Sequence, residues 1–260
     1  MATNIKFNIV KIVIVGSGNV AYHLAKALKQ TEQNLVQIFG RNQEVLNSIS
    51  KELDIPVSTN ELADADLYVV SVSDSSVEDV SEIIKNPNAI VAHTSGSLPK
   101  EILNGDYKKA SFYPLQTFSK SKDLDYAGIP FFIEAENKDV ETVLREVASK
   151  ISKHVEIADF EKRKYVHLTA VFACNFVNHL FARAKEISDS QQISFDCFMP
   201  LIEETFDKIK SVNPKDAQTG PAVRNDKRIL EAHKELIKNL EQLAVYEVMN
   251  ASIQKMYNLD

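Results

Sequence analysis

Residues 16–21 read GSGNVA, directly after the β-branched run IVKIVIV (9–15) and at the head of the helical pattern Val20–Leu28. Small residues at this spacing suit one kind of chemistry, the cradling of phosphates. Gly16 permits a tight turn, Gly18 lets a pyrophosphate approach the backbone, and Ala21 lets the following helix pack close to the strand. The N–H groups and positive dipole end of that helix then face the phosphates. A strand before and a helix after turn a weak G-x-G-x-x-A match into a dinucleotide signal. Ser17, Asn19 and Val20 complete the loop and are expected cofactor contacts.

About 20 residues further on, NAD-specific proteins keep a carboxylate for the ribose 2′-hydroxyl. Here the second apolar run ends in QIFGRNQ, so Gly40 stands near the expected acid and Arg41 and Asn42 follow it. Glycine leaves room for a 2′-phosphate, and a guanidinium can grip it in bidentate fashion. This predicts NADP(H) as the cofactor, held at that end by Arg41 and Asn42. A solvated arginine in a turn is the bland alternative.

Ligands in open α/β sheets bind beyond the carboxyl ends of the strands. SVSDSS (71–76) and HTSGS (93–97) occupy such ends, with Ser73 and Ser95 as expected cofactor contacts and His93 as an expected substrate contact. Simple capping would also select serine and aspartate there, and Ser75 with Glu78 has capping-box spacing. Tyr113, in FYPLQTF, is either a proton donor to substrate or a core tyrosine with a satisfied hydroxyl.

Later in the chain, KYVHLTAVFACNFVNHLFARAKEI (164–187) carries a polar stripe on an apolar helix. At 100° per residue, Lys164, His167, Asn175, Asn178 and His179 share about a third of the circumference. Phe172, Phe176, Val177 and Leu180 lie opposite. Solvated faces are usually written in Lys, Glu and Gln, so Asn and His point either to a polar cleft or to a buried network. Lys164 reads as solvated. His167 is the expected acid, Asn175 the residue that orients substrate. Thr219 and Arg224, in AQTGPAVRNDKRILEAH, are expected to hold an anionic end of the substrate; Arg224 can also take a cofactor phosphate or equally tie its loop to Glu203 or Glu204.

The elements that position these residues follow from periodicity. Strand-length apolar runs at 9–15, 35–39, 66–73, 89–95, 110–115, 130–136 and 154–158 alternate with helical patterns. Near-continuous apolar strands argue for a parallel-rich, doubly wound sheet, an α/β Rossmann-like domain over 1–158. Pro99 fits a first helical turn. From Asp159, a plausible N-cap, only helical periodicity follows, so 159–260 is expected to be all-α, with Asp226 capping a later helix. The net charge of −6 argues against nucleic acid and anionic membranes as partners. No run approaches the roughly 20 apolar residues of a membrane helix, and no cleavage site follows the run from Phe7. Two cysteines without ligand spacing, Cys174 expected buried, indicate no metal site and a cytoplasmic protein.

The chain resembles the candidate NADP oxidoreductases that join a Rossmann-like domain to a helical domain of unknown function, number 2520. Relatives of that family include pyrroline-5-carboxylate reductase, ketopantoate reductase and the deazaflavin-dependent NADP reductases. The resemblance rests on GSGNVA, HTSGSL (93–98), YPLQTF (113–118), HLTAVFACNF (167–176) and TGPAVRND (219–226). It implies a small C=O or C=N substrate and a homodimer built on the helical domain. Tyr113 stands where the family commonly has histidine, and Asn225 where it has glycine. Related hydroxyacid dehydrogenases use a lysine four residues before the helix asparagine, a position held here by Val171. These departures keep a second reading open, an NADP(H)-binding sensor without turnover. A methyltransferase using S-adenosylmethionine comes third, since Arg41 would then have no phosphate to hold.

Overall fold

A computed structural model describes residues 10–259. It divides into two compact units, 1–175 and 176–260, whereas the change from alternating to purely helical pattern in the sequence falls at 158/159. The later boundary lies inside a π-helical turn, Val171–Phe176.

The first unit holds an eight-stranded sheet in the order β3-β2-β1-β4-β5-β6-β7-β8. Its strands are β1 (Ile12–Val15), β2 (Leu35–Phe39), β3 (Val57–Ser58), β4 (Leu67–Val70), β5 (Ile90–His93), β6 (Lys108–Pro114), β7 (Phe131–Ala135) and β8 (Val155–Ile157). All neighbours pair in parallel except β6 and β7. The order through β6 is that of a Rossmann sheet. β1 is entirely buried because both faces are covered: Ile12 and Ile14 enter one core, Val13 and Val15 the other. Each such side chain contributes about 1.5–3 kcal/mol on burial. The expected doubly wound, parallel-rich architecture is therefore present. Ile9, in the run expected to form the first strand, lies outside the described residues. The two-residue β3 has no apolar run to announce it.

Helices α1 (Asn19–Gln30), α2 (Gln43–Leu53), α3 (Val77–Ser81), α4 (Lys138–Ile151) and α5 (Phe160–Ala170) complete the unit. α2, α4 and α5 start under the side chains of Asn42, Asn137 and Asp159, as N-cap chemistry favours. α1 instead starts at Gly18, with no side chain to cap it. The capping box expected at Ser75 does not form: a 3-10 turn, Asp74–Ser76, leads into α3 without a side-chain cap. Pro99 precedes only a 3-10 turn, Lys100–Ile102.

The second unit is helical: α6 (Val177–Ser190), α7 (Met199–Lys208), α8 (Pro214–Ala217), α9 (Lys227–Leu236) and α10 (Leu240–Met256). Asp226 caps α9 as expected, accepting from the Ile229 amide (3.2 Å). Asn225 has φ of +51°, the left-handed region that glycine enters freely and asparagine tolerates best among other residues. The replacement of glycine by asparagine thus keeps a glycine-type conformation. Among the described residues, no helix is long and apolar enough to cross a membrane.

Candidate active site

The glycine loop lies where β1 gives way to α1, at the switch point between β1 and β4. Gly16 has φ of +136°, and a Cβ there would sit 2.1 Å from the Ser71 carbonyl oxygen. Its bareness therefore serves the close approach of two strand ends. Gly18 differs, for a Cβ there would meet nothing within 4 Å. Its bareness keeps a cradle open over the uncapped start of α1, the arrangement that binds phosphates. Ala21 is fully buried against the core, as its packing role requires.

A cavity of about 620 Å³ opens here, lined by the 15–20 loop, 39–42, Ser71 to Ser73 and Thr94. Arg41 is exposed on its rim and has no ion pair among the described residues. Gly40 is buried, and a Cβ there would rest 3.5 Å from Leu46 and Ser17, ordinary contact. Asn42 also lines the cavity, but its side-chain oxygen accepts from the Val45 amide (3.0 Å). Asn19 is likewise committed, donating to the Phe118 carbonyl (3.0 Å). Ser73 lines the cavity with its hydroxyl 3.0 Å from that of Ser76. The Ser71 hydroxyl is buried in the same lining without a partner. An open cradle, an unpaired guanidinium and an orphaned hydroxyl fit a phosphorylated dinucleotide.

Ser95 is buried, its hydroxyl accepts from the Ser97 amide (3.0 Å), and it lines neither this cavity nor the next. Its neighbour Thr94 lines both. His93 lies at the close of β5. It is fully buried and presents nothing to either cavity, its Nδ1 accepting from the Ser95 amide (3.2 Å). Burial, reinforced by the Arg163 cation, lowers its pKa to about 4, against opposing effects of the Pro99 carbonyl and Glu101. The unfolded chain takes up this proton near pH 6.5, so the contribution to stability is complete above 6.5 and is lost as pH falls towards 4. The span corresponds to about 3 kcal/mol. Urea midpoints between pH 7 and pH 4.5 should fall less steeply for His93→Gln than for the wild type, and parallel profiles would contradict this assignment.

A second cavity, of about 930 Å³, adjoins the first at Val20 and Thr94. Tyr113 and His167, 54 residues apart in the chain, meet in its wall with hydroxyl and Nδ1 3.1 Å apart. Burial pushes the Tyr113 hydroxyl up to about 12, with Arg163 acting the other way. The hydroxyl therefore keeps its proton and shares a hydrogen bond with Nδ1. Gly96 presses on the pair: a Cβ there would lie 2.7 Å from Tyr113 and 2.9 Å from His167.

Asn175 lines the same cavity together with Cys174. Cys174, expected to be buried, is exposed. The expected stripe is also altered. Its 100° progression assumes a regular α-helix, and the wider π turn at Val171–Phe176 lags behind it. Asn178 and His179 follow that turn, in the second unit, where His179 accepts from Arg183 (3.4 Å). Phe172 and Phe176, read as lying opposite that stripe, are exposed. Lys164 pairs with Glu161 (2.6 Å) at the surface, as expected of a solvated lysine. Thr219 and Arg224 belong to the second unit; both are exposed, and Arg224 makes no ion pair with Glu203, Glu204 or any other described residue.

A buried charge network escaped the sequence reading. Arg163 is fully buried; one guanidinium nitrogen donates to Glu134 (2.5 Å) and another to the Leu98 carbonyl. Lys100 also donates to Glu134 (2.9 Å). Breaking one partner of such a pair costs about 3–5 kcal/mol, because the other is left as an uncompensated charge. Arg163 precedes His167 by one helical turn, so the network anchors the α5 face that carries His167. The available signal was Glu134, a carboxylate inside the apolar run PFFIEAE. Among the described residues no cluster suited to a metal ion occurs.

Comparison with known proteins bears on both halves. A family model described as NADP oxidoreductase, coenzyme F420-dependent, matches residues 11–94, and the domain of unknown function 2520 matches residues 129–253. A candidate NADP oxidoreductase of Bacteroides fragilis is 37% identical, covering 95% of this chain and 98% of that one, with a TM-score of 0.90. A protein of Thermotoga maritima is 22% identical over 95% of this chain and 99% of that one, with a TM-score of 0.79. A pyrroline-5-carboxylate reductase from Coxiella burnetii shares the fold at 10% identity over 95% and 99% of the two chains, TM-score 0.56. No protein of curated function matches the chain. By its identity and coverage with the Bacteroides protein, the chain belongs to the family of candidate NADP oxidoreductases in which a Rossmann-like domain precedes the helical domain of unknown function 2520.

Proposed function

We propose that the protein is an NADPH-dependent reductase of a small C=O or C=N compound. One observation carries the reading: a phosphate-cradling cavity and a cavity holding a Tyr–His pair adjoin at Val20 and Thr94. NADPH, when bound, supplies a hydride. Gly18 and the start of α1 would hold its pyrophosphate, and Arg41, with Gly40 leaving room, its 2′-phosphate. Hydride transfer leaves charge on the adjacent oxygen or nitrogen, which a closed site must neutralise. His167 delivers that proton, with Tyr113 fixing its ring and Asn175 orienting the substrate. Thr219 and Arg224 enter this reading only as surface candidates for an anionic substrate group.

Calorimetric titration tests the cofactor. Arg41→Ala should weaken NADPH by about 2 kcal/mol, the scale of a charge-assisted contact, and leave NADH unchanged. Gly40→Asp, whose Cβ fits, should reverse the preference, because its carboxylate repels a 2′-phosphate and accepts from a 2′-hydroxyl. Equal losses for both nucleotides would refute 2′-phosphate recognition.

The reading extends to a homodimer built on the helical unit. Its support is the exposure of Leu201, Phe206, Leu240 and Val248, which sedimentation at micromolar concentration can relate to self-association. Both cysteines are unpaired, which supports a cytoplasmic setting. Val171, in place of a lysine, favours the alternative of a sensor that binds NADP(H) without turnover.

A further inference from the structure

The segment following β6 folds back over the glycine loop and α1. Asn19 donates to the Phe118 carbonyl (3.0 Å), and Lys120 Nζ donates to the Ser17 carbonyl (2.9 Å). His23 Nε2 donates to the Ser119 carbonyl (2.9 Å), which leaves Nδ1 to accept from the Tyr126 hydroxyl (2.9 Å). Lys26 is matched by Asp123 (2.5 Å). Of these groups only Lys120 brings a charge without a carboxylate partner among the described residues. Its ammonium also lies 5.9 Å from the Tyr22 ring centroid.

Nothing in the chain's own bonding calls for a cation at Ser17. A carbonyl oxygen is satisfied by any N–H donor, and a lone positive charge beside a phosphate cradle has a clear electrostatic use. An ammonium has three donors on a flexible stem, so Lys120 can keep the Ser17 carbonyl and still reach an anionic oxygen. We propose that Lys120, which stands outside the cavity lining and reaches it at the Ser17 carbonyl, is a diphosphate-binding residue, acting on the pyrophosphate common to NADPH and NADH and independently of Arg41. This rests on the dinucleotide reading above. Burial also lowers the ammonium's pKa, as expected of a cation held partly out of water beside an uncharged carbonyl. Because the lysine is otherwise exposed, its effect is modest and falls with salt.

Two fragments separate the two cations. ADP carries the diphosphate without the 2′-phosphate, and adenosine 2′-monophosphate carries the reverse. In calorimetric titrations at low salt, Lys120→Met should weaken ADP, NADH and NADPH alike by about five- to tenfold and leave the 2′-monophosphate unchanged. Arg41→Ala should instead weaken NADPH and the 2′-monophosphate and leave ADP and NADH unchanged, and Lys120→Arg should retain wild-type affinity. Lys120→Gln carries the same expectation as Lys120→Met should the latter fold poorly. If the wild type binds NADPH but Lys120→Met and Lys120→Gln hold ADP and NADH within twofold of it, the role of Lys120 is overturned. If the wild type binds no nucleotide, the dinucleotide reading falls and this inference with it.

Discussion

His167→Ala is expected to cut turnover by about 10²- to 10⁴-fold, the usual contribution of a positioned acid, while NADPH affinity stays within a factor of two. The separation follows from geometry. His167 lines the second cavity and is absent from the wall of the first, so its removal deletes nothing that touches a phosphate. Tyr113→Phe should cost less, because the ring remains in the core and only the hydroxyl contact to Nδ1 is lost. Its effect should fall on the rate and spare the affinity for substrate. Both measurements are steady-state kinetics on a substrate the wild type reduces, paired with NADPH titration. A His167→Ala enzyme retaining more than a third of wild-type turnover would remove the imidazole from the chemistry.

The second large effect separates two glycines that a motif treats alike. Gly16→Ala should prevent folding of the first unit, at a cost above about 4 kcal/mol, the range reached by strain or overpacking that cannot relax. The new methyl would lie 2.1 Å from the Ser71 carbonyl oxygen at a φ of +136°. Neither chain can yield, since the Gly16 amide is held by Phe39 (2.7 Å) and the Ser71 amide by Val15 (2.7 Å). Gly18→Ala meets no atom within 4 Å, so the fold should survive with a loss of about 1 kcal/mol from a poorer N-cap. The methyl would instead project into the cradle and weaken NADPH and NADH together by at least about tenfold, a loss of about 1.4 kcal/mol or more. Thermal unfolding and titration of the two variants check this. A soluble, stable Gly16→Ala protein would contradict the assigned contact, and a Gly18→Ala protein with wild-type affinity would contradict the cradle.

Much of the fold was legible because its causes are local. The apolar runs, the caps at Asp159 and Asp226 and the glycine loop each depend on residues within a few positions of one another. The candidate site was legible only in part. His93 reads as a loop histidine aimed at a ligand, yet burial in β5 beside Arg163 keeps it neutral and out of both cavities. Cys174 reads as buried because it sits in an apolar, helix-like stretch, yet it is exposed within a π turn.

What the amino-acid order settles by itself is therefore the doubly wound sheet, the unguarded start of α1 and the glycine and arginine that follow β2. Each is a matter of short-range sterics, patterning or charge. The meeting of Tyr113 with His167, the seat of Glu134 beneath Arg163 and the reach of Lys120 to Ser17 were decided by tertiary structure alone. These contacts join segments from 29 to 103 residues apart. Their partners are chosen by how strands stack and helices dock, which no local pattern encodes.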